Sequence, residues 1–331
     1  MDPALHYADY LKLDSILYSQ QLRSDLLNAH AHDEMLFIII HQTYELWFKQ
    51  LLYEVDSVKA ILQKPTLNDD SPELQTIVQR LNRSNTILKL LVQQIEIMET
   101  MSPMDFLDFR DMLRPASGFQ SWQFKMLEAK LGLKFEQRHG QAHYISQLRE
   151  PEVNLIKTAE SEKTLLELLN NWLERMPFLK DNDFWPGYRK LYLESLSEAE
   201  KAHAGLFDTV FSEGKANQSR SLSPMASRAG LFIMIYPGYP ILQLPFQLLN
   251  QLLEMDEQLS TWRYRHMHMV HRTIGTRIGT GGSTGREYLQ GTLEKHFIFR
   301  DIAQLTSFLI ERKKLPKLDK QMERRLGFAS E

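Results

Sequence analysis

Residues 241–274 read "ILQLPFQLLNQLLEMDEQLSTWRYRHMHMVHRTI", and their spacing decides how the whole chain is to be read. Leu244, Leu248, Leu252, Met255, Leu259 and Trp262 follow one another at intervals of three or four, the period of one helical face. The next position on that stripe is His266. His268 lies about 200° around the helix from it, so "HMHMVH" is no single metal-binding face. A core-facing histidine is commonly satisfied by a backbone carbonyl, and a metal ligand is the sharper alternative.

The same spacing dominates the rest of the chain, and alternating Val/Ile/Thr-rich segments are nearly absent, which predicts an all-α protein. Ser71-Pro72 opens a helix to about Thr100, and Ser102-Pro103 with Asp105 opens another that Pro115 stops, each a cap residue followed by proline in the first turn. Ser117 with Gln120 forms a capping-box pattern for a helix through "FQSWQFKMLEAKLG", ended by Gly132. Further helices fit 150–175, 188–211, 241–274 and 284–312. Residues 176–187, 212–224, 236–240 and the glycine-rich "GTGGSTG" (279–285) read as loops, with 212–224 a linker or surface loop. No compositional change follows that stretch, so residues 1–331 are expected to form one domain, with the charged tail after Pro316 on the surface.

Composition removes several classes of function. The chain has 331 residues, 43% of them apolar, and a formal net charge of −3, which gives no long-range field to hold nucleic acid or a membrane surface. It has no cysteine, so disulfides, thiolate metal sites and cysteine nucleophiles are excluded together. No apolar run approaches the roughly 18 residues of a membrane span, and the N-terminus lacks a basic and apolar leader pattern. A cytoplasmic protein with a small-molecule or protein partner is expected.

Three further features are candidates for chemistry. In "HDEMLFIIIHQTYELWFKQ" (32–50), His41 interrupts an apolar run and shares a helical face with Phe37, Tyr44 and Phe48, a wall that suits either ordinary packing or a flat ligand. Arg110 lies one turn after Phe106 and just before a proline and glycine segment, and if buried it needs a carboxylate from the protein or from a ligand. "GTGGSTG" fits neither the Walker nor the dinucleotide pattern, and offers a flexible loop with the hydroxyls of Thr280, Ser283 and Thr284. Two Glu-x-x-His strings, ending at His139 and His203, admit a di-iron alternative at about the frequency that chance supplies.

The strings "HDEMLFIIIHQTYELWFKQLLYEVDSV", "FRDMLRPASGFQSWQFKMLE" and "WRYRHMHMVHRTIGTRIGTGGSTGREYL" resemble, in order, the three signature blocks of the tryptophan 2,3-dioxygenase family. The opening "YADYLKLDSILYSQ" resembles that family's first segment, and the likeness runs from about residue 7 to 312. It implies a single helical domain of the haem dioxygenase type with a haem pocket between core helices, and a homotetramer. Each subunit would hold one haem b, ferrous in the active form. The implied reaction is cleavage of the indole C2–C3 bond of L-tryptophan by O2 to N-formylkynurenine, the first step of tryptophan catabolism by the kynurenine pathway. Another indole or aromatic amino acid is the alternative substrate.

Position by position, the resemblance makes His266 the proximal haem ligand and places His41 over the haem, beside the indole N–H. Phe37 and Phe106 would line the substrate pocket, Arg110 would clamp the carboxylate, and Ser117 and Gly118 would lie against haem and substrate. The Thr280 hydroxyl would meet the ammonium group, and Tyr7, Tyr10 and Leu11, from the segment 1–25 of a neighbouring subunit, would complete the pocket. Trp122, Lys125 and Arg286 depart from the family's common residues without replacing any of these.

Overall fold

The structure is a computed structural model that describes residues 4–68, 71–138, 144–176, 184–212, 220–277 and 285–327, without the side chains of 285–288 and 294. The described elements are all helical, as the spacing predicts. In chain order they are α1 (Tyr7–Leu11), α2 (Leu13–Leu17), α3 (Arg23–Leu26), α4 (Asp33–Leu62), α5 (Pro72–Met98), α6 (Pro103–Arg110), α7 (Trp122–Leu131) and α8 (Glu150–Ser161). There follow α9 (Leu165–Leu173), α10 (Phe184–Ser195), α11 (His203–Phe211), α12 (Pro224–Ile235), α13 (Pro240–Ile274), α14 (Gly285–Lys295), α15 (Arg300–Gln304) and α16 (Lys320–Leu326).

Three long helices make the frame. α5 packs along both α4 and α13, α7 packs on α4, and α14 packs on α13. Their shared core draws on Leu51, Val55 and Val58 of α4, Leu74, Ile77 and Leu81 of α5, and Leu248, Leu252, Met255 and Leu259 of α13, all at three-and-four spacing. The short α6 touches both α4 and α13 near one end of this frame and carries a separate small cluster around Phe109. Gly132 ends α7 at φ +138°, where a Cβ would stand 2.8 Å from the Cβ of Leu166, so no other residue fits that stop.

Several boundaries differ from the spacing-based expectation. Ser117 and Gln120 do form a capping box, but around a 3-10 turn at Gly118–Gln120; α7 begins only at Trp122. The single helices expected at 150–175 and 188–211 are each broken, at Thr164 and Ser197, where capping boxes with Glu167 and Glu200 start new turns. The expected helix 284–312 ends at Lys295, because the backbone N–H groups of Ile298 and Phe299 are bound by buried Asp256 of α13. α12 replaces what the spacing left unassigned: eight of its twelve residues are buried, so it shows no apolar face. The end of the 212–224 stretch is anchored rather than free, since Ser221 and Leu222 donate to buried Asp301. The tail is not a surface appendage either, for α16 buries Met322 and Leu326 in the main core.

Candidate active site

His41 and Phe37 sit one turn apart near the start of α4, with ring centroids 4.1 Å apart. Phe106 of α6 stacks on Phe37 at 5.7 Å, and fully buried Phe109 meets both edge-on, at 5.6 and 5.5 Å. The result is a flat aromatic wall backed by Ala31 and Met101. His41 Nδ1 donates to the Phe37 carbonyl over 2.7 Å. A carbonyl only accepts, so Nδ1 carries the hydrogen and Nε2 keeps its lone pair. The imidazole retains accessible surface, yet protein surrounds it closely enough that burial pushes its pKa below the ordinary 6.5. Together these put a neutral acceptor in the aromatic wall.

A second aromatic group comes from α13, near enough for His41 to act on His266. Trp262 and His266, one turn apart, stack at 5.0 Å with planes 8° from parallel. Phe124 of α7 and Tyr44 of α4 pack on Trp262, and the Tyr44 hydroxyl donates to the Leu91 carbonyl over 2.7 Å. His266 Nδ1 is buried with no hydrogen-bond partner, so the expectation of a core histidine satisfied by a backbone carbonyl fails here. Burial, and the proximity of His41, push the His266 pKa down to about 4. The imidazole is therefore neutral at physiological pH, the form that binds metals. His271 Nδ1, on the same helix, is also buried without a partner, while Trp262 lies against the Tyr44 hydroxyl.

The other predicted residues divide into those brought to this region and those that are not. Arg110 ends α6, the helix that joins α4 to α13, and is only 5% exposed. Nearby, Asp111 lies 3.2 Å from Arg114 Nε. Ser117 accepts from the Phe119 N–H, and Gly118 has open space on the side a Cβ would take. That turn is held by buried Lys125, whose ammonium donates to the Phe119 carbonyl and whose pKa burial lowers to about 8. Tyr7, Tyr10 and Leu11 lie exposed on α1. Thr280 and the rest of "GTGGSTG" up to residue 284 lie outside the described residues, as does His139 of the first Glu-x-x-His string. In the second string, Glu200 is exposed and accepts from the backbone N–H and hydroxyl of Ser197, away from any core site.

The family model described as tryptophan 2,3-dioxygenase matches residues 1–206 and 190–309. Proteins named tryptophan 2,3-dioxygenase from Bdellovibrio bacteriovorus and Alteromonas mediterranea are 42% and 44% identical, over 98% of this chain and 99% and 97% of theirs. The protein of that name from Dictyostelium discoideum is 42% identical over 98% of this chain and 88% of its own. The chain belongs to the tryptophan 2,3-dioxygenase family. As a member of it, the chain has an all-α fold in which residues from three signature blocks far apart in sequence converge at the junction of α4, α6 and α13.

Sequence reasoning missed a set of residues that this member of the tryptophan 2,3-dioxygenase family places behind the candidate site. Glu128, Arg138, Arg263 and His296 form a buried ionic cluster between α7, α13 and the end of α14. A signal existed for Arg263: it lies four residues after Leu259, on the apolar stripe itself, where a charge needs an internal partner. Nothing in the spacing singles out Glu128, because its partners lie up to 168 residues away.

Proposed function

We propose that the chain binds haem b through His266 and cleaves the indole C2–C3 bond of L-tryptophan with O2, giving N-formylkynurenine. The observation that carries this is the pair of neighbouring histidines. His266 is neutral, with a buried nitrogen that the protein leaves unpartnered, and it interacts with His41, whose tautomer is fixed. Among the described residues no three His, Asp or Glu side chains converge as a metal set. The family to which the chain belongs implies haem as the group that His266 would hold, and the aromatic surfaces near it suit a flat one. When bound, the haem supplies the iron that makes O2 reactive toward an electron-rich ring; both oxygen atoms enter the product, and no external reductant is consumed.

The chain's own residues supply placement. His41 Nε2, unprotonated, accepts a hydrogen bond from the indole N–H, while Phe37 and Phe106 hold the plane of the ring. The indole N–H is a very weak acid, so His41 orients it rather than removing its proton. Arg110 clamps the substrate carboxylate as a fork, and the Thr280 hydroxyl meets the ammonium group. Ser117 and Gly118 border haem and substrate. Fixing both ends of the amino acid is an orientation effect worth several kcal/mol, about 7–11 at the upper end.

The active form in this proposal is a homotetramer in which Tyr7, Tyr10 and Leu11 of one subunit complete a neighbour's pocket. Support comes from exposed apolar surface among the described residues. Tyr7, Tyr10, Leu17 and Tyr18 of the N-terminal segment are 61–79% exposed, and Ile39, Leu46 and Tyr53 make an exposed apolar line along α4 at seven-residue intervals. The test of the haem site is His266→Ala. Loss of the histidine-haem absorption band with helical content intact supports the assignment, and a variant that keeps the band overturns it.

A further inference from the structure

His266 is preceded on α13 by two arginines, Arg263 and Arg265. Residues two apart on a helix project about 200° from each other, so the two guanidinium groups leave on opposite sides. Arg263 runs inward, 3% exposed, and its Nη2 donates to Glu128 Oε1 on α7 over 2.6 Å. Arg265 runs the other way, with Nη2 3.2 Å from Glu99 Oε2 and Nη1 3.7 Å from Glu96 Oε1, at the end of α5. The helix is thus pinned against rotation from two sides within one turn of the histidine.

The inward side is the more rigid. Glu128 also accepts from Arg138 Nη1 over 2.7 Å and lies 3.3 Å from His296 Nδ1, while Arg263 Nη1 donates to the His296 carbonyl over 3.3 Å. Arg138 in turn donates to the Lys125 carbonyl and lies 3.9 Å over the Tyr144 ring. Burial alone would raise the Glu128 carboxyl, but Arg263, His296 and Arg138 hold it well below the usual range. Desolvating such a cluster is costly, and apolar residues of the same volume commonly serve stability as well. Stability alone does not account for it. Its placement does: one turn before Glu128 on the same helix, Lys125 holds the Phe119 carbonyl, and with it the Ser117–Gln120 turn. α7 therefore ties that turn to the helix of His266.

We propose that Arg263 and Glu128 are positioning residues whose buried ion pair fixes the rotation of α13, and so sets where His266 stands relative to His41 and the Ser117–Gly118 turn. This rests on His266 being the haem ligand. Side-chain atoms lie about 5–6 Å from a helix axis, so a rotation of about 10° moves the imidazole by about 1 Å. Partners that orient a metal ligand typically change metal affinity about 10- to 100-fold when lost, and a pair acting through the helix belongs at the lower end.

The test uses the full chain loaded with haem, comparing wild type, Glu128→Gln and Arg263→Lys. Two quantities are read: the rate of haem transfer to excess apomyoglobin and the iron–histidine stretching band of the ferrous protein. Circular dichroism establishes that each variant is folded. The expected result is haem loss about 10-fold faster in Glu128→Gln, with a shifted or broadened iron–histidine band, and a smaller change in the same direction in Arg263→Lys. Arg263→Lys keeps a cation against Glu128 and decides alone if Glu128→Gln does not fold. A folded variant with wild-type haem loss and an unchanged band overturns the proposal while leaving the haem assignment standing. A wild-type protein that shows no iron–histidine band overturns both.

Discussion

Replacing His41 by alanine separates orientation from proton transfer. In the structure the imidazole offers one neutral acceptor, Nε2, because Nδ1–H is committed to the Phe37 carbonyl at 2.7 Å. A neutral hydrogen bond contributes about 0.5–1.5 kcal/mol, so its loss lowers kcat/KM for L-tryptophan about 2- to 13-fold. General base catalysis would instead cost about 100- to 10,000-fold. The pH profile gives a second reading. Burial holds the His41 pKa below 6.5, so wild-type kcat/KM stays level as pH falls from neutrality through 6.5 and declines only below it, when protonation removes the acceptor. The alanine variant lacks that decline. Steady-state rates of N-formylkynurenine formation across pH provide the assay. A loss beyond 100-fold refutes the orientation role, and a wild-type decline centred at or above 6.5 contradicts the lowering of the His41 pKa by burial.

Arg110→Ala should keep haem bound, by its absorption spectrum, and lower kcat/KM about 100-fold or more, since two charge-assisted bonds to the substrate carboxylate are lost; unchanged efficiency would remove the clamp. Phe109→Ala, at a fully buried position that supports Phe37 and Phe106, should cost about 3–5 kcal/mol in urea unfolding, and a cost below about 1 kcal/mol would show that the aromatic wall stands without it. Asp256 is 7% exposed, and burial pushes its carboxyl up to about 6 from 3.8. The folded chain therefore holds a proton that the unfolded chain has released, so stability is greatest below pH 3.8 for this group and is lost as pH rises through 6, on the order of 3 kcal/mol in all. Urea midpoints of Asp256→Asn should lack this component of the pH slope, and parallel curves for the two proteins would contradict it.

The long helices were legible because a stripe such as Leu248, Leu252, Met255 and Leu259 repeats over many turns and packs as it reads. α12 was not, because "MASRAGLFIMI" is buried on nearly every side and has no polar face to mark its period. The breaks at Thr164 and Ser197 carried readable signals, Thr-x-x-Glu and Ser-x-x-Glu, inside runs whose apolar spacing continued across them. Leu326 shows the limit of local charge as a guide: Arg324 and Arg325 beside it are exposed, yet its own side chain reaches the core. At the site, the sequence exposed His41 and His266 as polar residues set in apolar faces. It could not show that they come close, which depends on how α4 and α13 are placed, nor which nitrogen of His41 is free, which depends on the rotamer that aims Nδ1 at the Phe37 carbonyl one turn back.

The central claim is tested most directly by the absorption spectrum of the purified, haem-supplied and reduced protein, followed at once by addition of L-tryptophan in aerated buffer. A histidine-haem Soret band and the rising absorbance of N-formylkynurenine are the predicted result. A Soret band without that product would contradict the choice of substrate and point to another aromatic compound, and no Soret band would contradict the role of His266 itself.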